Sequence, residues 1–228
     1  MNLTNKTILI TGGSEGLGFA LAQELLSQKS EVIICGRNQE KLAKASEKLN
    51  SPKLRTFVCD VSDYSQVQMM VKNISNLDIL INNAGIFMES PIESSNPADI
   101  SNVINVNVKG MIYVTKACLP LLRRRKESYL LNISSTKGVE GEANLSVYSA
   151  SKFAVQGFTE SLQLELKDTN IKVFGFYPAS MDTTFHLKTG VVRDRSNWMT
   201  VDEVAEVISF ALSRPDPMMF DKLVLRNK

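Results

Sequence analysis

The chain has 228 residues, 43% of them hydrophobic and 22% charged, with a formal net charge of +2. Such a composition supports a sizeable core and excludes disordered, fibrous and collagen-like chains. The near-neutral charge gives no reason to expect nucleic acid as a partner, and no stretch approaches the ~18 apolar residues needed to cross a bilayer.

In chain order, short β-branched runs alternate with helix-period stretches. The strand expected at Thr7 to Thr11 precedes a helix at about 17–28, and Glu31 to Cys35 precedes one at 39–49. Leu54 to Cys59 leads into a helix over 64–75, and Asp78 to Asn82 into a long one over 98–125. Tyr129 to Ser134 and Lys172 to Tyr177 are followed by helices over 147–168 and 201–213, before a last short strand near Leu223 to Leu225. This alternation predicts right-handed βαβ units. The expected fold is a Rossmann-like, doubly wound parallel sheet of about seven strands with helices on both faces, a three-layer α/β/α domain over residues 1–228.

Two side features have plain readings. The run Arg123 to Lys126 falls where a helix should end, and is expected to be a solvated end that complements the helix dipole. Cys35, Cys59 and Cys118 are widely spaced in apolar segments, which suits reduced core thiols rather than disulfides or a metal cluster. The N-terminus carries no charged segment followed by a long apolar run, so a cytoplasmic protein is expected.

The densest signal is the stretch "KTILITGGSEGLGFALAQEL", which passes from strand to helix through several glycines and small polar residues. Bare backbone there permits a tight turn, close approach of N–H groups to a pyrophosphate, and close packing of a helix whose positive N-terminus faces the phosphates. Gly12, Ser14, Gly16, Leu17 and Gly18 are therefore candidate dinucleotide-binding residues. At the end of the second strand an acidic side chain would accept hydrogen bonds from the ribose 2′-hydroxyl of NAD. Here "VIICGRN" offers Gly36 and Arg37 instead, which leaves room for the 2′-phosphate of NADP and supplies a guanidinium to pair with it.

The spacing Thr11-Gly12-x-x-x-Gly16-x-Gly18, "CDVSD", "NNAG", "NVNVKG", "NISSTKG" and "YSASK" occur in order along nearly the whole chain. In this the sequence resembles the short-chain dehydrogenase/reductase family, in its compact single-domain branch. The resemblance implies that Asp60 and Val61 border the adenine, and that Asn83, Ala84 and Gly85 support the sheet centre beside the adenosine. It further implies a catalytic set of Asn107, Ser135, Tyr148 and Lys152, with Asn107 holding a bent helix and a proton-relaying water. Ser134 competes with Ser135 for the substrate oxygen. The family's Ser-x-x-Gly spacing into Gly138 favours Ser135, and Ser134 would point to the other side of an extended chain.

Chemistry gives these residue types their purpose. Moving a hydride between a nicotinamide and a carbonyl requires a proton at the developing alkoxide. An unperturbed phenol is ionised about one part in a thousand at neutral pH, a deficit of roughly 4 kcal/mol, which a nearby ammonium would reduce. Tyr148 and Lys152 stand four apart and share a helix face. By resemblance the lysine also holds the nicotinamide ribose.

The sequence departs from the family pattern in three places. "PASMDTT" has Ala179 where a glycine is usual, although Pro178, the Met181 backbone and Thr183 remain beside the expected nicotinamide site. Glu15 occupies a loop position where many NADP-using relatives carry a basic residue. The ending "FDKLVLRNK" lacks a glycine-rich tail, so a homodimer through the helices around 108–125 and 147–168 is as plausible as a homotetramer. Thr184 to Thr200 occupies the place of a substrate lid that is expected to order over ligand, and its His186 is expected to be a surface residue.

The reading is an NADP(H)-dependent oxidoreductase, with NADP(H) preferred over NAD(H), that interconverts a small-molecule carbonyl and alcohol without metal. A length of 228 residues leaves no room for the larger substrate domain of the family's sugar-nucleotide branch. A non-catalytic cofactor-binding scaffold would be favoured by loss of Tyr148 or Lys152, and both are present.

Overall fold

The computed structural model describes residues 2–183, 194–214 and 218–228. Its seven strands are β1 Thr7–Thr11, β2 Glu31–Gly36, β3 Leu54–Val58, β4 Ile79–Asn82, β5 Ser128–Ile133, β6 Ile171–Pro178 and β7 Lys222–Leu225. They form one sheet in the order β3-β2-β1-β4-β5-β6-β7. All six pairings are parallel. The fold is Rossmann-like, as expected from the sequence.

Central parallel strands are covered on both faces, so their sequences are continuous apolar runs rather than alternating ones. Ile8, Leu9 and Ile10 of β1 are wholly buried. Because successive side chains point to opposite faces, they serve different cores. Ile8 and Ile10 join the core with α1 (Gly16–Ser27), α2 (Gln39–Leu49) and α7 (Val201–Ser213), whereas Leu9 joins the core with α3 (Tyr64–Lys72), α5 (Met111–Leu122) and α6 (Ser146–Leu166). Among the described residues no helix is long and apolar enough to cross a membrane.

Strand order reverses between β1 and β4, which opens a crevice at their carboxyl ends. A polar ladder ties the layers together there. Asn82 Nδ2 donates to Thr115 Oγ1 and to Asn132 Oδ1, both at 2.9 Å, and Asn132 Nδ2 donates to Thr159 Oγ1 at 2.9 Å. These buried groups link α5, β4, β5 and α6, and register the two helices against the sheet.

Two expectations are corrected. The long helix expected over 98–125 is three pieces: α4 (Pro97–Ile104), a π-helical turn at Asn105–Gly110, and α5, which ends at Leu122. Asn107 lies inside the widened turn. Gly110 sits where the turn crosses Val61, since a Cβ there would lie 2.7 Å from Val61 Cγ2. The basic run is also not simply a solvated end. Arg125 Nε donates to Asp78 Oδ1 at 2.9 Å, because that buried carboxylate needs partners, and Lys6 and the Thr7 N–H supply others.

Candidate active site

The crevice is a cavity of about 430 Å³ running from the glycine loop to the start of α6. The strand-to-helix turn after β1 holds Gly12 and Gly16 at φ of +67° and +57°, conformations that suit glycine. A side chain at Gly16 would point into nearly open space, with only Thr183 Cγ2 at 3.8 Å. Gly18 faces the other way: a Cβ there would lie 2.3 Å from Gly12 O, so its glycine serves helix packing and it does not line the cavity.

Asn83 closes this loop from β4. Its Nδ2 donates to Thr11 O at 2.9 Å and Gly12 O at 3.2 Å, while the Asn83 and Ala84 N–H groups donate to Thr11 Oγ1. Ser14, Leu17, Arg37, Asp60, Val61, Ala84 and Gly85 also line the cavity. At the far end stand Ser135, Tyr148 and Lys152, with Pro178, Met181 and Thr183 on the β6 side.

Asn107 lies behind this wall rather than on it. Its Oδ1 accepts from the Ile86 N–H at 2.8 Å, and its Nδ2 donates to Ile86 O and Ser151 Oγ, both at 3.0 Å. It fixes the segment after Gly85 relative to α6, and a side chain at Gly85 would meet Asn107 Oδ1 at 3.4 Å and Lys152 Nζ at 3.7 Å.

The two adjacent serines divide their work. Ser134 Oγ donates to the Lys152 carbonyl at 3.0 Å, which spends it on anchoring α6. A Cβ at Gly138 would lie 2.5 Å from Ser134 Oγ and 2.6 Å from Lys152 O, so the Ser-x-x-Gly spacing reflects a close approach to α6. Ser135 Oγ accepts from Lys137 N at 3.1 Å, lines the cavity with Tyr148 and acts to lower the phenol's pKa.

Electrostatics here are set first by burial. Tyr148 is 6% exposed and Lys152 5%. Burial pushes the Tyr148 phenol up to about 12, with Ser135 pulling the other way. Burial brings Lys152 down from its ordinary 10.5 to about 8, and its Nζ donates to Ile133 O at 3.2 Å. The Lys152 nitrogen lies 5.7 Å from the Tyr148 ring centroid, and burial is the largest influence on the phenol.

Several cavity residues were not singled out from the sequence. Phe87 packs edge-on against Tyr148 with ring centroids 4.9 Å apart, and Leu145 and Ile86 extend that apolar wall. Lys137 lines the opposite side, paired with Glu142 at 2.8 Å and Glu140 at 3.4 Å. Two of them stand two residues beyond recognised motif positions, Phe87 after Gly85 and Lys137 after Ser135, which is the signal that could have found them. The expected lid falls largely outside the described residues, His186 included; its end at 194–200 is tied down by Arg195–Asp182 at 2.9 Å and by Asn227 Nδ2 donating to Asn197 O at 2.6 Å.

The donor set suits a dinucleotide: an open glycine turn at the N-terminus of α1, a cation at the end of β2 and a buried lysine beside the phenol. No group of three or more His, Cys, Asp or Glu is placed to hold a metal among the described residues.

Comparison with known proteins agrees with this geometry. The sequence profile of short chain dehydrogenase matches residues 6–191. An uncharacterized oxidoreductase of Staphylococcus aureus (strain USA300) is 31% identical over 228 residues, 98% of each chain. Among solved structures, the closed form of serine dehydrogenase complexed with NADP+ has a TM-score of 0.90 at 27% identity, covering 96% of this chain and 94% of that one. A short chain dehydrogenase from Shigella flexneri complexed with NADP also has a TM-score of 0.90, at 26% identity over 98% of both chains. The chain belongs to the short-chain dehydrogenase/reductase family of oxidoreductases.

Proposed function

We propose that the protein is an NADP(H)-dependent oxidoreductase that interconverts a small-molecule carbonyl and an alcohol, with Tyr148 as the acid and base. The observation that carries this reading is the buried Tyr148, on the same cavity lining as Ser135 and one helical turn from Lys152, at the end of a cavity that starts in the glycine loop. The nicotinamide cofactor supplies or accepts the hydride.

The chain's own residues handle the proton and the geometry. Ser135 Oγ and Tyr148 Oη hold the substrate oxygen between them, and Tyr148 gives its proton to that oxygen as negative charge develops. With the phenol near 12 in the ligand-free protein, the proton is in place throughout the neutral range, which suits carbonyl reduction. Oxidation needs the phenolate, so its rate rises with pH. Lys152 orients the ribose and sustains the phenolate once formed, and Asn107 positions the Ile86 segment and Ser151 behind them. Gly12, Ser14, Gly16 and Leu17 receive the pyrophosphate, Asp60 and Val61 the adenine, and Pro178, Met181 and Thr183 the nicotinamide. Phe87, Ile86 and Leu145 offer an apolar wall to the substrate. The working form is a cytoplasmic homodimer or homotetramer.

Cofactor choice rests on Arg37, at the end of β2 where Gly36 leaves room. Its side chain is 54% exposed and its Nη1 lies 3.8 Å from Asp60 Oδ2, so it enters the site already paired, and its contribution falls at the lower end of the range for charged hydrogen bonds. Arg37→Ala should lower kcat/KM for NADPH about tenfold while leaving NADH within about twofold. Equal kcat/KM for both cofactors in the parent protein contradicts the assignment.

A further inference from the structure

The expected pocket for the 2′-phosphate holds a second cation that the motifs did not mark. Lys41, in the first turn of α2, lines the same cavity as Arg37. The turn is fixed by Asn38, whose Oδ1 accepts from Lys41 N at 2.9 Å. From there Lys41 Nζ reaches across to the glycine loop and meets Glu15 Oε2 at 2.7 Å, and Glu15 also lines the cavity. Both side chains are nearly half exposed, so neither is locked by packing.

Charge balance gives this pair a consequence. Arg37 faces Asp60 and Lys41 faces Glu15, so each cation in the pocket already has a carboxylate. A neutral 2′-hydroxyl has nothing to offer either cation beyond what it has. A phosphate carrying nearly two charges can displace a single carboxylate from each, because a doubly charged acceptor binds an exposed ammonium more strongly.

We propose that Lys41 is a second ligand of the cofactor 2′-phosphate, and that Glu15 is the carboxylate the phosphate displaces from it. The inference rests on the NADP(H) reading above. It also explains how the loop tolerates an acid at position 15: the positive charge for this side of the pocket comes from α2 instead. Glu15 then competes with the phosphate for Lys41 and moderates the preference for NADP+.

The test is equilibrium titration of the ligand-free protein with NADP+, NAD+ and adenosine 2′,5′-bisphosphate, followed by calorimetry. Lys41→Met should weaken NADP+ and the bisphosphate about five- to tenfold and reduce the NADP+ to NAD+ affinity ratio accordingly. Glu15→Gln should tighten NADP+ about two- to fivefold. The double variant separates a direct ligand from a mere neutraliser of Glu15. It should bind NADP+ about fivefold more weakly than Glu15→Gln alone, whereas equal affinities of these two overturn the proposal. A Lys41→Met protein with an unchanged ratio, in a parent whose NADP+ preference depends on Arg37, also overturns it and leaves the cofactor reading standing. A parent without preference for NADP+ removes that reading and this inference together.

Discussion

Replacing Tyr148 by phenylalanine should lower kcat for carbonyl reduction by about 10²- to 10⁴-fold, the usual contribution of a positioned general acid, and leave the NADP+ Kd within a few-fold. The phenylalanine ring keeps the volume, the edge-on contact with Phe87 and the place on α6, so the wall of the cavity survives. Only the phenol hydroxyl and its proton are lost. Losing a hydroxyl from a buried site also removes a polar group that burial disfavours, so the variant should fold at least as well as the parent. Single-turnover rates and a cofactor fluorescence titration check the two halves separately. A variant that loses cofactor affinity and rate together would place Tyr148 in binding rather than proton transfer.

Lys152→Met should behave differently, and its second signature lies in stability. Turnover falls by at least as much, and NADP+ binding weakens too, because one side chain serves both ribose and phenolate. In the ligand-free protein burial holds Lys152 near 8, below its ordinary 10.5. A group whose folded-state value is depressed gives stability that is present above its unfolded value and is lost as pH falls through the folded one. Below about pH 8 the folded chain therefore carries the cost of a buried charge, which is relieved as pH rises towards 10.5. The shift corresponds to roughly 3 kcal/mol at most, reduced by the bond to Ile133 O that the methionine gives up. Ligand-free Lys152→Met should melt at or above the parent's Tm at pH 7, and lose the part of the parent's Tm rise between pH 7 and 9 that comes from this amine. A lower Tm at pH 7 with an unchanged pH slope would contradict the burial argument.

Much of this arrangement was legible because its chemistry constrains residue type at fixed spacing. The turn after β1 needs glycine where φ is positive, and Tyr148 and Lys152 need a four-residue interval to share a face. Parallel strands buried on both faces are visible as apolar runs, so the fold followed from the alternation, with strand ends that shifted by at most one residue. A bend at Asn107 is implied by the resemblance, but its form as a π-helical turn was not legible. A helix-period pattern of apolar residues looks the same through Asn105–Gly110, and the partner that Asn107 meets there, Ile86, is twenty-one positions away in sequence. Ion pairs were hidden for the same reason. Arg125 with Asp78 and Lys41 with Glu15 are brought together by the fold, and neither interval follows a helical or strand period. Sequence reveals the proximity of Tyr148 and Lys152 but not how completely both are withdrawn from water, and burial is the largest influence on each.

The central claim is that this site moves a hydride between a nicotinamide and a carbonyl carbon while Tyr148 handles the proton. Its most direct measurement uses NADPH deuterated at the reactive nicotinamide carbon with a panel of ketones and aldehydes, and mass spectrometry of the alcohols formed. The account predicts one deuterium per alcohol, at the former carbonyl carbon, from one face of the nicotinamide only, and no labelled alcohol from Tyr148→Phe above about 1% of the parent rate. Label lost to water, or labelled alcohol formed equally fast by the Tyr148→Phe protein, would contradict it.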